Sequence, residues 1–204
     1  MSLGCSKESL DSEKEIIQEI IKGDRIKELQ ILIREKGINS ISPITKSFNE
    51  VEKMKIPLII ECIIQKAIKC FKYLLINEIE DPTITMQEEK KRSRQKNDYE
   101  WDCMSIAIYY GEMEIIKLLE EKGIEKEANS AYMKAAILSY RNAIAKEIIN
   151  HLKEKSEQMN NEILKAGLLA SVKSNNIKGA ELFYNNGANF NAKDIIYQII
   201  IILF

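Results

Sequence analysis

Apolar residues recur along this chain as pairs of short helical stripes, each pair divided by a turn. The pattern is plainest in residues 104–123, MSIAIYYGEMEIIKLLEEKG. Ile106, Ala107 and Ile108 mark one helix, and Ile115, Ile116, Leu118 and Leu119 return at helical spacing in a second. Gly111 lies between them, where glycine interrupts a helix and accepts a turn, and Gly123 lies where a left-handed cap would end the second helix. A hairpin this small cannot bury its own stripe, so the pattern calls for neighbours of the same kind.

Four further stretches repeat the arrangement. In 12–37, Ser12 and Glu15 have the spacing of a capping box, Ile16, Ile17, Ile20 and Ile21 form a stripe, Gly23-Asp24 turns the chain, and Ile26, Leu29, Ile31, Leu32 and Ile33 lead to Gly37. Residues 1–11 read as a flexible lead-in. In 56–82, Ile56-Pro57-Leu58 opens a helix with proline at its first turn, and a second helix from Ile68 to Ile76 carries Phe71, Leu74 and Leu75. Gln65-Lys66 stands where a turn glycine would be, so a wider turn is expected there; Asp81-Pro82 closes the unit. In 130–155, Ala135-Ala136 is a small pair that lets helices approach, Tyr140-Arg141 replaces the turn glycine, and Ile144, Ile148 and Ile149 form the second stripe. In 161–193, Leu164, Leu168, Leu169 and Val172 precede Ile177, Ala180, Leu182 and Phe183. Between the first two units, residues 38–55 read as a long polar loop with Pro43 and a helical piece around Phe48 to Met54. The fold class expected is all-α: one domain over 12–204, a solenoid of about five stacked helix-turn-helix units (about 12–37, 56–82, 99–128, 130–155 and 161–193) with a truncated sixth at 194–204.

Two segments carry the residues of a known repeat family. Gly187-Ala-Asn-Phe-Asn-Ala-Lys-Asp194 resembles the hairpin-loop signature of ankyrin repeats, with Asn189 where the family usually has Asp. Gly111-Glu-Met-Glu-Ile-Ile-Lys-Leu-Leu119 is similar to that family's G-H-x-E-V-V-K-L-L, and Gly123 and Gly187 are 64 residues apart, close to two periods of about 33. The entry at Ile56-Pro57-Leu58 is similar to the family's T-P-L-H. The resemblance implies an ankyrin-like solenoid. It further implies a scaffold or adaptor that binds a partner protein through its concave face and loop tips.

Composition narrows the classes. Hydrophobic residues make up 45 % and charged residues 30 % of 204, enough apolar surface for a continuous core, and three prolines with eight glycines favour helix over sheet. A net charge of −1 is not that of a dedicated nucleic-acid binder. Cys5, Cys62, Cys70 and Cys103 show no C-x-x-C pair and no Cys/His cluster, as expected of reduced thiols in a cytoplasmic protein, and no secretory leader is apparent. The apolar end, Ile195 to Phe204, is too short for a membrane span of about 20 residues.

Enzymatic chemistry needs a constellation, and the chain offers none: His151 is the only histidine, placed near a helix C-terminus. No catalytic residue, cofactor, metal or small-molecule substrate is therefore expected. Mapped residue by residue, the ankyrin binding positions of the third unit fall on Tyr99, Trp101, Tyr109 and Tyr110. These aromatics suit a partner-binding patch, because they bury large areas at low entropy cost; the opposing reading packs Trp101 and one tyrosine against their surroundings. Residues 83–100 form a charged insertion that cannot order itself by burial, and its Lys90, Lys91, Arg92, Arg94 and Lys96 resemble a nuclear-import signal or a basic patch. The second functional reading, a nuclear or nucleic-acid-associated protein, rests on that run.

Overall fold

The computed structural model describes residues 7–37, 44–49, 52–85, 87–88, 101–124, 130–154 and 161–188. Among these residues the chain forms ten helices and three short strands, so the helical class read from the stripes is what the structure has, with a small sheet added. The chain divides into two compact units, Met1–Cys103 and Met104–Phe204.

The first unit holds α1 (Lys7–Lys22), α2 (Ile26–Lys36), β1 (Ile44–Asn49), β2 (Glu52–Ile56), α3 (Leu58–Ile64), α4 (Ile68–Ile76) and β3 (Gln87–Glu88). Helix α1 packs on α3, and α2 packs on α4. Ile17, Ile20, Ile21 and Leu29 from the first hairpin are buried, as are Leu58, Ile59, Ile60, Ile63, Phe71, Leu74 and Leu75 from the second. The stripe is narrower than expected: Ile16 and Ile31 lie more than half exposed, because adjacent residues on a helix diverge by about 100° and only part of so wide an arc faces the neighbour.

Three expectations are corrected here. Helix α1 begins at Lys7, so residues 7–11 are helical and Ser12 lies inside the helix rather than capping it. Lys, Glu and Leu extend a helix readily, and one interior serine costs only about 0.5 kcal/mol. The segment expected to be loop with a helix near 48–54 is an antiparallel hairpin, β1 pairing with β2 from Ile44 opposite Ile56 to Asn49 opposite Glu52, with a bulge between Ser47 and Asn49. Met54 and Ile56 alternate with Lys53 and Lys55, which is the strand period of two. Within the charged insertion, Gln87 and Glu88 form strand β3 and pair with Lys55 and Met54.

The second unit continues α5 (Cys103–Tyr110) with α6 (Met113–Glu121), α7 (Ser130–Leu138), α8 (Asn142–Glu154), α9 (Asn161–Lys173) and α10 (Ile177–Asn185). Helix α7 packs on α9, and α8 contacts α10. Ile115, Ile116, Leu119, Met133, Ala135, Ala136, Ile148, Leu168 and Phe183 are buried. Ile177, read as part of a buried stripe, is 68 % exposed; the buried arc of α10 passes through Gly179 and Phe183 instead.

All five hairpins close with one turn. Its central residue is left-handed: Asp24, Lys66, Gly111, Tyr140 and Asn175 have φ between 48° and 72°. In each turn that residue's amide bonds three residues back, and the next amide bonds five back, as in Lys66 N to Ile63 O (3.1 Å) and Ala67 N to Cys62 O (2.8 Å). The same pair of bonds caps α4, α6 and α10 at left-handed Glu78, Gly123 and Gly187. Twelve residues separate Lys66 from Glu78, Gly111 from Gly123 and Asn175 from Gly187, and thirteen separate Asp24 from Gly37. The wider turn expected at Gln65-Lys66 is therefore absent, and the missing glycines at Lys66 and Tyr140 change nothing in the path. A non-glycine residue there is strained, and replacing Lys66 by glycine should raise the unfolding free energy by about 1 kcal/mol. Urea melts of the parent and the variant check this.

Caps from outside each helix hold the first unit together. The Asp24 carboxylate accepts from the amides of Cys70 (2.9 Å) and Lys69 (3.2 Å), so the first turn caps α4 of the next hairpin. Glu80 returns to the start of α3, accepting from Ile59 N at 2.6 Å and Leu58 N at 3.4 Å. Burial pushes the Glu80 carboxyl above its ordinary 4.5, outweighing those two amides, which pull it down. The folded state thus holds this proton longer than the unfolded chain. Its contribution to stability is full below 4.5 and is lost as pH rises through the raised folded value. Stability measured by denaturant against pH should show that decline in the parent and lack it in Glu80→Gln.

Candidate functional site

The aromatic residues singled out by the sequence fall in different surroundings. Tyr99 lies outside the described residues, as do Lys90, Lys91, Arg92, Arg94 and Lys96. Trp101 belongs to the first unit, is partly buried, and has its indole nitrogen buried. Tyr109 and Tyr110 belong to the second unit, at the C-terminal end of α5, and are both partly buried. Their rings meet edge to face, with centroids 5.4 Å apart and planes at 79°. That arrangement suits the aromatic quadrupoles and fixes both rings next to the turn at Gly111.

Arg141 holds that turn from the neighbouring hairpin. Its guanidinium lies against Gly111, so close that a Cβ built on Gly111 would meet Cζ at 2.5 Å. Its Nη2 donates to the carbonyl of Tyr110 at 3.3 Å. A side chain at Gly111 would thus displace the end of the exposed Arg141 side chain, and the φ of 72° favours glycine there. From the sequence, Tyr140-Arg141 reads only as a lost glycine; in the structure Arg141 bonds the carbonyl end of α5 at Tyr110.

The following turn is joined in the same way. The Tyr140 hydroxyl donates to the carbonyl of Ser174. Asn176 is 3 % exposed. Its Oδ1 accepts from Gly179 N at 2.9 Å and from Asn142 Nδ2 at 3.1 Å. Its Nδ2 donates to Ile137 O at 3.0 Å and to Asn142 Oδ1 at 2.8 Å. One side chain thus caps α10, pairs with the first residue of α8 and satisfies a carbonyl of α7. Asparagine carries both an acceptor and a donor, and this position uses both. An Asn before a helix signals a cap in the sequence, but nothing in one sequence signals partners 34 and 39 residues away.

Cys62, Cys70 and Cys103 are buried and free. Burial raises the thiols of Cys62 and Cys103 well above 9.0. Burial, with help from the hydrogen bond to Asp24, pushes Cys70 up to about 12. Thiols so shifted carry little nucleophilic thiolate. His151 lies in the last turn of α8, the place its sequence position suggested. Among the described residues no group of three or more His, Cys, Asp and Glu is arranged to hold a metal ion, and no helix is long and apolar enough to cross a membrane. Compared with protein-family models, curated proteins and solved structures, the chain matches none.

Proposed function

We propose that this chain is a divergent ankyrin-like repeat module that binds a partner protein, with the tyrosine pair at the end of α5 as its anchor. The carrying observation is the recurrence of one hairpin: five copies closed by the same left-handed turn, with a spacing of twelve or thirteen residues from turn to cap where both are described. The stacking of first helix on first helix and second on second, within each unit, supports the same reading. Ankyrin-type modules present the end of the first helix and its adjoining loops to partners. Here that place carries Tyr109 and Tyr110, whose rings meet edge to face, with Arg141 bonded to the Tyr110 carbonyl. Trp101, with its indole nitrogen buried, fits packing better than contact, so the tyrosines carry the proposal. The function is recognition of a protein surface, without catalysis.

The test begins with a partner captured on the immobilised chain and identified by quantitative mass spectrometry, whose affinity is then measured by calorimetry. A Tyr109→Ala, Tyr110→Ala variant should bind that partner roughly 30-fold more weakly or worse, equivalent to the loss of about 2 kcal/mol at a hot spot. Its far-UV circular dichroism should match that of the parent. Unchanged affinity would remove the tyrosines from the interface. Affinity that collapses with added salt would point instead to the basic run at 90–96 and to a phosphate-bearing partner.

A further inference from the structure

Numbering each hairpin from its left-handed turn residue exposes one face that differs from the rest. Three residues before the turn stand Ile21, Ile63, Ile108 and Ile137 in the first four hairpins, all fully buried. Val172 takes that place in the fifth and is partly exposed. Five residues after the turn stand Leu29, Phe71, Ile116 and Ala145, again buried; the fifth hairpin has Ala180, partly exposed. Leu169, one helical turn before Val172, is partly exposed too, as are Gln18 and Lys134 at the same place in the first and fourth hairpins. The difference is confined to that face, because Leu168, Ser171 and Phe183 of the same hairpin stay buried. The fifth hairpin therefore keeps its core and shows solvent at positions that the other four cover.

We propose that residues 195–204 of the same chain cover this face. The chain leaves α10 at Gly187 and Ala188, the latter buried. The ten-residue run that follows Asp194 is Ile-Ile-Tyr-Gln-Ile-Ile-Ile-Ile-Leu-Phe, with Gln198 and the Tyr197 hydroxyl its only polar groups. Its distance along the chain is right: seven residues lead from Gly123 to the start of α7 at Ser130, and eight lead from Gly187 to Ile195. The apolar run thus begins where the preceding junction begins its next first helix, beside a face with apolar positions left to cover. A segment so apolar gains by burial wherever such a face is near. This inference rests on the hairpin register that the proposed repeat reading also uses, but not on the binding of a partner, so unchanged affinity in the tyrosine test would leave it standing.

A photo-reactive benzophenone amino acid placed at position 172 of the full chain tests it, with isotopically light and heavy chains mixed before irradiation. The expected result is cross-links from position 172 to 195–204, formed within one chain. Cross-links that join light to heavy chains would assign the face to a second copy and overturn the proposal, as would cross-links that miss 195–204. Position 169 gives a second placement on the same stripe, to be used if thermal melting shows that the first disturbs the fold. Position 178, exposed and two residues from Ala180, hence on the opposite side of α10, should not capture the segment; equal capture there would mean indiscriminate contact and would also count against the proposal.

Discussion

Gly167→Ala should destabilise the protein by about 1–3 kcal/mol, although alanine is the better helix former. Gly167 lies inside α9, against the ring of Phe183 from α10, and a Cβ built there would meet Cζ at 2.1 Å and Cε1 at 2.3 Å. Phe183 is fully buried. The conflict is with one side chain, so the sign should depend on that side chain. Phe183→Ala alone should cost about 3–5 kcal/mol through lost burial and the cavity left behind. In that background, Gly167→Ala should become neutral or stabilising by up to about 1 kcal/mol, since the methyl then enters empty space and the helix gains propensity. Denaturant unfolding of the four proteins measures the coupling directly. A cost for Gly167→Ala that persists without Phe183 would show that this helix pair is packed otherwise.

Asn176→Ala should be comparably damaging, at about 2–4 kcal/mol. The substitution leaves the amide of Gly179 and the buried carbonyl of Ile137 without the partners they have in the folded protein, and it breaks the paired bonds with Asn142. A lost cap costs about 1 kcal/mol and each stranded buried group about 1–3 kcal/mol, with overlap between the two. Asn176→Asp separates the roles. A carboxylate can still accept from Gly179 and Asn142, but it cannot donate to Ile137 and places an oxygen against that carbonyl oxygen. It should therefore recover only the capping part of the loss. Melting of Asn176→Ala, Asn176→Asp and Asn142→Ala, with the corresponding double variant, checks whether the network behaves as one unit.

Much of the helical framework is legible in the sequence because its signal is local. The stripes around Ile115 and Ile148 mark their helices, Gly111, Gly123 and Gly187 mark left-handed positions, and Ile68 to Ile76 is a helix with the bounds its apolar pattern suggests. Lys66 and Tyr140 were opaque for a physical reason. Glycine makes a left-handed turn easy without being required for it, and packing on both sides of a hairpin can hold another residue there at a cost of about 1 kcal/mol. The β1–β2 hairpin was hidden by its mixed composition, in which lysines alternate with Met54 and Ile56 on strands of five and six residues. Of the candidate site, Tyr109 and Tyr110 could be named from the resemblance alone. Arg141 and Asn176 could not, because each acts through a partner more than 30 residues away.

The recurrence of one left-handed turn is what the whole account stands on, and it is tested where glycine is missing. Backbone nuclear magnetic resonance of the full chain reports φ at Lys66 and Tyr140 through the coupling between amide and α protons and the Cα and Cβ shifts. It also reports protection of the following amides, Ala67 and Arg141, through hydrogen exchange. Left-handed values at both turn residues, with slowly exchanging amides immediately after them, are the expected result. Right-handed or extended values with fast exchange at those amides would contradict the shared turn, and the repeat reading with it.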